Sequence, residues 1–362
     1  MQWISELSVK LILVKRRNFI KTVSTATLAA TVSNSPFNRE LSSPVKSLIK
    51  PHRLNKDDKI ALITPGSYIS EEEKEESIDN LYKLGFRVTY TDRLMQKNGY
   101  FSATDEERAA DVNEMFKRED VKGIMCARGG YGCARILPYL NYDLIRDNPK
   151  PFIGFSDVTA LHYAIYKNSR LITFHGPVGV STFNRFSVNN FNDILVEPKN
   201  ELELTNSLHD NNYNPYGITT ISEGNAEGEL IGGNLSIVTS FIGTDYDIDF
   251  SDKIIFLEEF LEEPYRIDRM LTQMLQAGKF KNAAGIALGV FKMCESDETN
   301  PSFKNAFTLM EVLKDRLANL GIPVVYGLSF GHVVDKFTLP FGVRAELNTE
   351  TNQLKLLEAG VI

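Results

Sequence analysis

The chain has 362 residues, with 47 Asp plus Glu against 40 Lys plus Arg and a formal net charge of −7. Its 43% hydrophobic and 24% charged residues, with 24 glycines and 14 prolines, exclude a wholly disordered, collagen-like or small disulfide-framework protein. The acidic balance gives no general attraction for nucleic acid or anionic lipid, the three cysteines (Cys126, Cys133, Cys294) lack paired zinc-ligand spacing, and no stretch reaches the roughly 18 apolar residues of a membrane span.

Residues 15–21 read Lys-Arg-Arg-Asn-Phe-Ile-Lys and run into the small-residue, mildly apolar stretch Thr22 to Val32. Paired arginines followed by Phe19, Ile20 and Lys21 resemble a twin-arginine export signal. The plain alternative is an amphipathic helix with a solvated basic end. Residues 1–33 are expected to be the signal and 34–55 a polar linker, with cleavage near residues 31–35. No cysteine precedes Cys126 to take a lipid anchor, so the expected product is periplasmic or secreted.

The following segment, 56–178, alternates strand and helix signals. Lys59 to Pro65 is an apolar strand stopped by Pro65-Gly66, and Ser70 caps an acidic helix that ends at Gly85. Arg87 to Thr91 is a second strand, Asp105 to Arg118 a helix and Val121 to Ala127 a third strand. Gly132 to Leu140 is a short helix, Pro151 to Phe155 a strand, Asp157 to Lys167 a helix and Leu171 to Phe174 a strand. This rhythm predicts an α/β domain with a mostly parallel sheet and crossover helices. In such sheets ligands sit at the carboxyl ends of the strands. Residues 179–225 are Asn-rich and break the rhythm, which predicts a linker or edge excursion.

A second domain is expected over 226–362. It opens on Gly232-Gly233-Asn234-Leu235 and a helical stripe through Ile237, Phe241 and Ile242. Lys253 to Leu257 is a buried strand, Pro264 to Ala277 a helix and Ala284 to Phe291 a strand. Phe307 to Leu320 is a helix, Val324 to Tyr326 a strand, and Arg344 to Leu347 with Gln353 to Leu357 a hairpin.

Chemistry concentrates at a few positions. In Gly154-Phe155-Ser156-Asp157 an apolar strand meets a helix at once, which lifts the serine hydroxyl beside the unpaired N–H groups of the first helical turn. This resembles a nucleophile elbow, with Val158 in place of the second glycine of Gly-x-Ser-x-Gly; the bland reading is a serine that only caps a helix. Arg128-Gly129-Gly130-Tyr131-Gly132 is a glycine-rich strand-to-helix turn, able to lend an N–H to an oxyanion, to cradle a phosphate, or to serve as a turn alone.

A hydroxyl nucleophile needs a base, and five histidines are available. His162 lies among apolar helix neighbours, and His52 and His209 lie in polar segments. His175 and His332 both follow strands, with His332 slightly favoured by its glycine-containing loop. The orienting carboxylate falls on Glu258 or Glu259 at the end of Ile254–Leu257, since adjacent strand residues face opposite sides. The alternative there is a solvated acidic strand end continuing into Glu262-Glu263. Arg128, Arg266 and Lys336 are candidates to receive a substrate carboxylate.

Together these segments resemble the LD-carboxypeptidase family, serine peptidases that trim murein tetrapeptides. The resemblance runs from about Lys59 to Leu357 in ordered blocks: Ala127–Gly132, Gly154–Asp157, His175–Pro177, Gly233–Leu235, Leu257–Glu259, Glu263–Arg269, Gly331-His332 and Leu339–Gly342. It implies Ser156 as nucleophile, Glu258 as the acid and His332 as the base. The backbone N–H groups of Asp157 and of Gly129 or Gly130 are implied as the oxyanion hole. The family's usual Glu-Asp pair is Glu258-Glu259 here. Also implied are a swivelling β/β/α C-terminal domain, a murein tetrapeptide substrate, metal-free acyl transfer without a cofactor, and a possible homodimer; no nucleic-acid partner and no membrane span are expected. Rival readings are a related hydrolase of aminoacyl-nucleotide antibiotics, a non-catalytic periplasmic muropeptide-binding protein, and a phosphate- or nucleotide-binding domain using Gly129-Gly130. Export would permit a Cys126–Cys133 bond, with free buried thiols the default.

Overall fold

The computed structural model describes residues 47–208, 216–297 and 299–362. The expected export signal, most of the 34–55 linker, His209 and Asn212–Pro215 lie outside the described residues. No helix among the described residues is long and apolar enough to cross a membrane.

Five of the six strands of the first sheet come from the segment 56–178: β1 (Lys59–Ile63), β2 (Arg87–Thr89), β3 (Gly123–Cys126), β4 (Phe152–Gly154) and β5 (Thr173–His175). They run parallel in the order β5-β4-β3-β1-β2. Both faces are covered, and β1, β3 and β4 are accordingly near-continuous apolar runs. Among the covering helices are α1 (Glu71–Lys83), α2 (Asp105–Lys117), α3 (Cys133–Ile136), α4 (Tyr142–Asp147) and α5 (Thr159–Ser169). Ser70 with Glu73, and Thr104 with Glu107, close reciprocal capping boxes at α1 and α2. Each such cap contributes about 1 kcal/mol.

The segment 179–225 is more than a linker. It supplies helix α6 (Arg185–Leu195) and strands β6 (Leu202–Leu204) and β7 (Thr219–Ser222), which form the two edges of the second sheet. Asn184 caps α6, and Ser187, Phe191, Ile194 and Leu195 are its buried residues. The asparagines between them disguise that apolar stripe in the sequence.

The second sheet is built around β8 (Asn225–Asn234), β9 (Lys253–Phe260), β10 (Gly285–Lys292) and β11 (Val324–Tyr326), all parallel. The expected hairpin is present as β13 (Arg344–Asn348), antiparallel to β8, and β14 (Gln353–Leu356), antiparallel to β13. Helices α7 (Leu235–Ser240), α8 (Pro264–Gln276) and α9 (Leu309–Leu317) complete it.

One strand crosses the expected boundary at 226. β12 (Leu339–Phe341) belongs to the first sheet, pairing antiparallel with β5. Pro340 cannot donate to a ladder, so an edge position suits it. The Phe341 ring packs against His162, Tyr163 and Tyr166 of α5 and against Phe256 of β9. The apolar interior is therefore continuous between the two sheets. Thr159 adds a polar tie, its Oγ1 accepting from the Asn234 N–H at 3.0 Å. The helix that follows Ser156 is thus seated on the strand beside the one that carries Glu258.

Candidate active site

β4 ends at Gly154, Phe155 is extended, and Ser156 turns the chain with φ +66° into a short 3-10 turn and then α5. A left-handed serine costs roughly 1–2 kcal/mol, and such strain is common where a side chain must be aimed. The missing second glycine has a local reason. A Cβ on Gly154 would meet the Val158 methyls at 2.9 and 3.1 Å, so Val158 fills the space under the turn. Among the described residues the Ser156 hydroxyl has no hydrogen-bond partner, and His332 is not bonded to it in this structure. Catalytic hydrogen bonds are often absent or long before substrate binds.

The glycine turn lies directly against this elbow. A Cβ on Gly129 would stand 3.1 Å from Ser156 Cβ and 3.2 Å from the Asp157 nitrogen. Only a glycine lets the backbone come this close to the first-turn N–H of Asp157. Ser67 secures the turn, donating its N–H to Gly129 O at 3.3 Å and accepting from Tyr131 N at 3.1 Å. The Asp157 carboxylate secures it from the other side, accepting from Cys133 N at 2.7 Å. Burial raises the Asp157 carboxyl, and hydrogen bonds from the Cys133 and Gly132 backbone oppose the rise. The sequence points only to the Asp157 N–H; its side chain is a second device at the same position.

Glu258 and Glu259 part as the pleat requires. Glu259 accepts from Asn234 Nδ2 at 2.9 Å, Ser236 N at 2.8 Å and Ser236 Oγ at 2.7 Å, so it ties β9 to the start of α7. Glu258, wholly buried, places Oε2 2.8 Å from His332 Nδ1. A carboxylate only accepts, so the proton belongs on Nδ1 and Nε2 keeps its lone pair. Phe260 stacks on the imidazole with centroids 4.5 Å apart and planes 10° from parallel, and Phe155 meets it edge-on at 4.8 Å. The ring is stacked by one residue and met edge-on by the other, the residue that precedes Ser156. Phe260 is two positions beyond Glu258 on a strand, and that spacing is a signal the sequence carries.

The remaining candidates separate clearly. His162 is buried, bonded to Thr173 Oγ1 at 2.9 Å and Gly154 O at 2.8 Å, and desolvation lowers it to about 4. His175 is also buried, neither ring nitrogen has a partner among the described residues, and burial pushes it well below the ordinary histidine range. It packs as a core ring against Phe155, Phe256 and Phe330. Cys126 and Cys133 are free, buried thiols held up by desolvation.

Residues of α6 and its cap steady the loop after His332. Asn184 donates to Asp335, Ser187 Oγ donates to Val334 O at 3.0 Å and accepts from Lys336 N at 3.1 Å, and Tyr216 reaches Asp335 at 3.1 Å. Between this loop and the elbow opens a cavity of about 760 Å³ lined by Phe155, Val178, Val180, Phe260, His332 and Lys336, among others. A hydrogen-bonded carboxylate–imidazole pair, a strained serine turn and a glycine turn beside it can support acyl transfer.

Known proteins agree with that chemistry. The family models described as the LD-carboxypeptidase N-terminal and C-terminal domains match residues 60–176 and 227–347. A probable murein peptide carboxypeptidase of Bacillus subtilis is 37% identical over 317 residues, covering 86% of this chain and 95% of its own. The solved muramoyltetrapeptide carboxypeptidase from Oxalobacter formigenes superposes with a TM-score of 0.68 at 30% identity, over 82% of this chain and 97% of that one. The microcin C7 self-immunity protein MccF superposes with a TM-score of 0.78 at 25% identity, over 87% and 100%. The chain is a serine carboxypeptidase that belongs to the LD-carboxypeptidase family.

Proposed function

We propose that this carboxypeptidase acts on peptidoglycan and hydrolyses the L,D-peptide bond before the C-terminal D-alanine of murein tetrapeptides. The observation that carries the reading is the 2.8 Å contact of Glu258 with His332 Nδ1, on an imidazole packed against the neighbour of Ser156. His332 Nε2 takes the Ser156 proton as Oγ attacks the carbonyl carbon. Glu258 stabilises the imidazolium, and the N–H of Asp157 with one from the Gly129-Gly130 turn holds the oxyanion. The imidazolium then protonates the departing D-alanine nitrogen. Water, deprotonated by the same imidazole, releases the shortened peptide and restores the serine. The names of the murein-peptide relatives support the substrate, and the twin-arginine-like residues 15–21 support export to the compartment that holds it.

Likeness to the self-immunity protein supports a second reading, hydrolysis of an aminoacyl-nucleotide; structures of that protein hold glutamyl sulfamoyl guanosine and aspartyl sulfamoyl adenosine. The intact Glu263-Pro264-Tyr265-Arg266 block favours the murein reading. Incubating the protein with a murein tetrapeptide, its pentapeptide counterpart and an aminoacyl sulfamoyl adenosine decides between them. One D-alanine is expected per tetrapeptide and none from the pentapeptide. Turnover of the nucleotide alone, or D-alanine from the pentapeptide alone, overturns the proposal.

A further inference from the structure

An exopeptidase must distinguish a chain end from an internal peptide bond, and the distinguishing group is the free carboxylate. Three cations stand near enough in sequence to the site motifs to be considered. Arg128 is committed to Glu73 at 3.1 Å. Arg266 is solvated and paired with Glu262 at 3.5 Å and with the Tyr265 hydroxyl at 3.0 Å. Lys336 differs from both. It is 6% exposed, it lines the cavity with His332, and its ammonium has no hydrogen-bond acceptor among the described residues.

What the Lys336 ammonium does meet is the Phe155 ring, with Nζ 4.4 Å from the centroid. A cation–π contact offsets part of the cost of removing an ammonium from water, but it supplies no counter-charge. Burial lowers the Lys336 ammonium to about 8 and the Glu258 charge opposes that fall, but the same carboxylate is hydrogen-bonded to His332. Lys292 also lines the cavity, as an exposed residue. The cavity therefore holds one deeply buried cation, and it stands on the ring of the residue that precedes Ser156. Val178, Val180 and Val333 line the same cavity, and apolar walls strengthen any ion pair formed there.

We propose that Lys336 receives the terminal carboxylate of the substrate, so that the D-alanine leaving group lies between its ammonium and the Ser156 elbow. This rests on the tetrapeptidase reading above and adds the residue that makes it an exopeptidase. The Ser187 bond to the Lys336 backbone and the Asn184 bond to Asp335 hold the loop, so the lysine is presented by α6 and its cap.

The test compares a murein tetrapeptide with its C-terminal amide, which keeps the scissile bond and removes the charge. Wild type is expected to prefer the acid by about 100-fold in kcat/KM, the scale of a charge-assisted hydrogen bond. Lys336→Met is expected to lose about 100-fold on the acid and less than about 3-fold on the amide, and Lys336→Arg to regain part of the preference. Lys336→Gln serves in its place if the methionine variant does not fold. Equal losses on both substrates, or an undiminished preference for the acid, overturn the role of Lys336 while the tetrapeptidase reading stands. A wild-type protein inert toward both substrates overturns that reading and this one together.

Discussion

Ser156→Ala is expected to lower D-alanine release from a murein tetrapeptide by a factor of about 10⁴ or more, the usual cost of removing a triad nucleophile. Stability is expected to change little. The Ser156 hydroxyl makes no hydrogen bond among the described residues, so its removal strands no buried partner. The φ of +66° is equally awkward for alanine and serine, so the backbone strain is unchanged. A thermal melt within a few degrees of wild type, together with lost turnover, is the expected pair of results. Turnover within tenfold of wild type removes Ser156 from the chemistry.

Glu258→Gln is expected to lower kcat by roughly 10⁴, with a near-native fold. The amide keeps the shape of the carboxylate but can no longer stabilise an imidazolium. It can also donate to Nδ1, which shifts the ring proton to Nε2 and leaves no base for Ser156. Neighbouring Glu259→Gln provides the contrast. Glu259 accepts from Asn234 and from both the backbone and hydroxyl of Ser236, away from His332. Its loss should cost about 1–3 kcal/mol of stability and leave kcat within tenfold. Steady-state kinetics and chemical denaturation of the two variants measure both effects. Equal loss of kcat in both would mean that the pleat does not divide their roles.

The sequence makes much of this legible, for identifiable reasons. Strand-helix alternation over 59–174 shows the parallel sheet because each element is short and bounded by Gly, Pro or a capping residue. Ser156 is legible as a strand running straight into a helix, but its left-handed turn is not, because nothing in its residue type calls for positive φ. Period-2 alternation says that Glu258 and Glu259 part company without saying which faces the imidazole. That choice is made by the distant loop after β11, which brings His332 to Glu258. His175 and His332 look alike locally, since the partner that distinguishes them lies 74 positions from His332. The Asn-rich 179–225 segment hides α6, and Pro340 hides β12, because each signals a loop more strongly than its apolar neighbours signal an element.

Ser156, His332 and Glu258 working as one unit is what every other statement about activity depends on. The most direct measurement is labelling with a fluorophosphonate, which reacts with a serine only when a base activates it. Peptide mass spectrometry of the labelled protein should find a single adduct, on Ser156, and the label should disappear when His332 is replaced by alanine. An adduct on another residue, or undiminished labelling of Ser156 without His332, would contradict the triad.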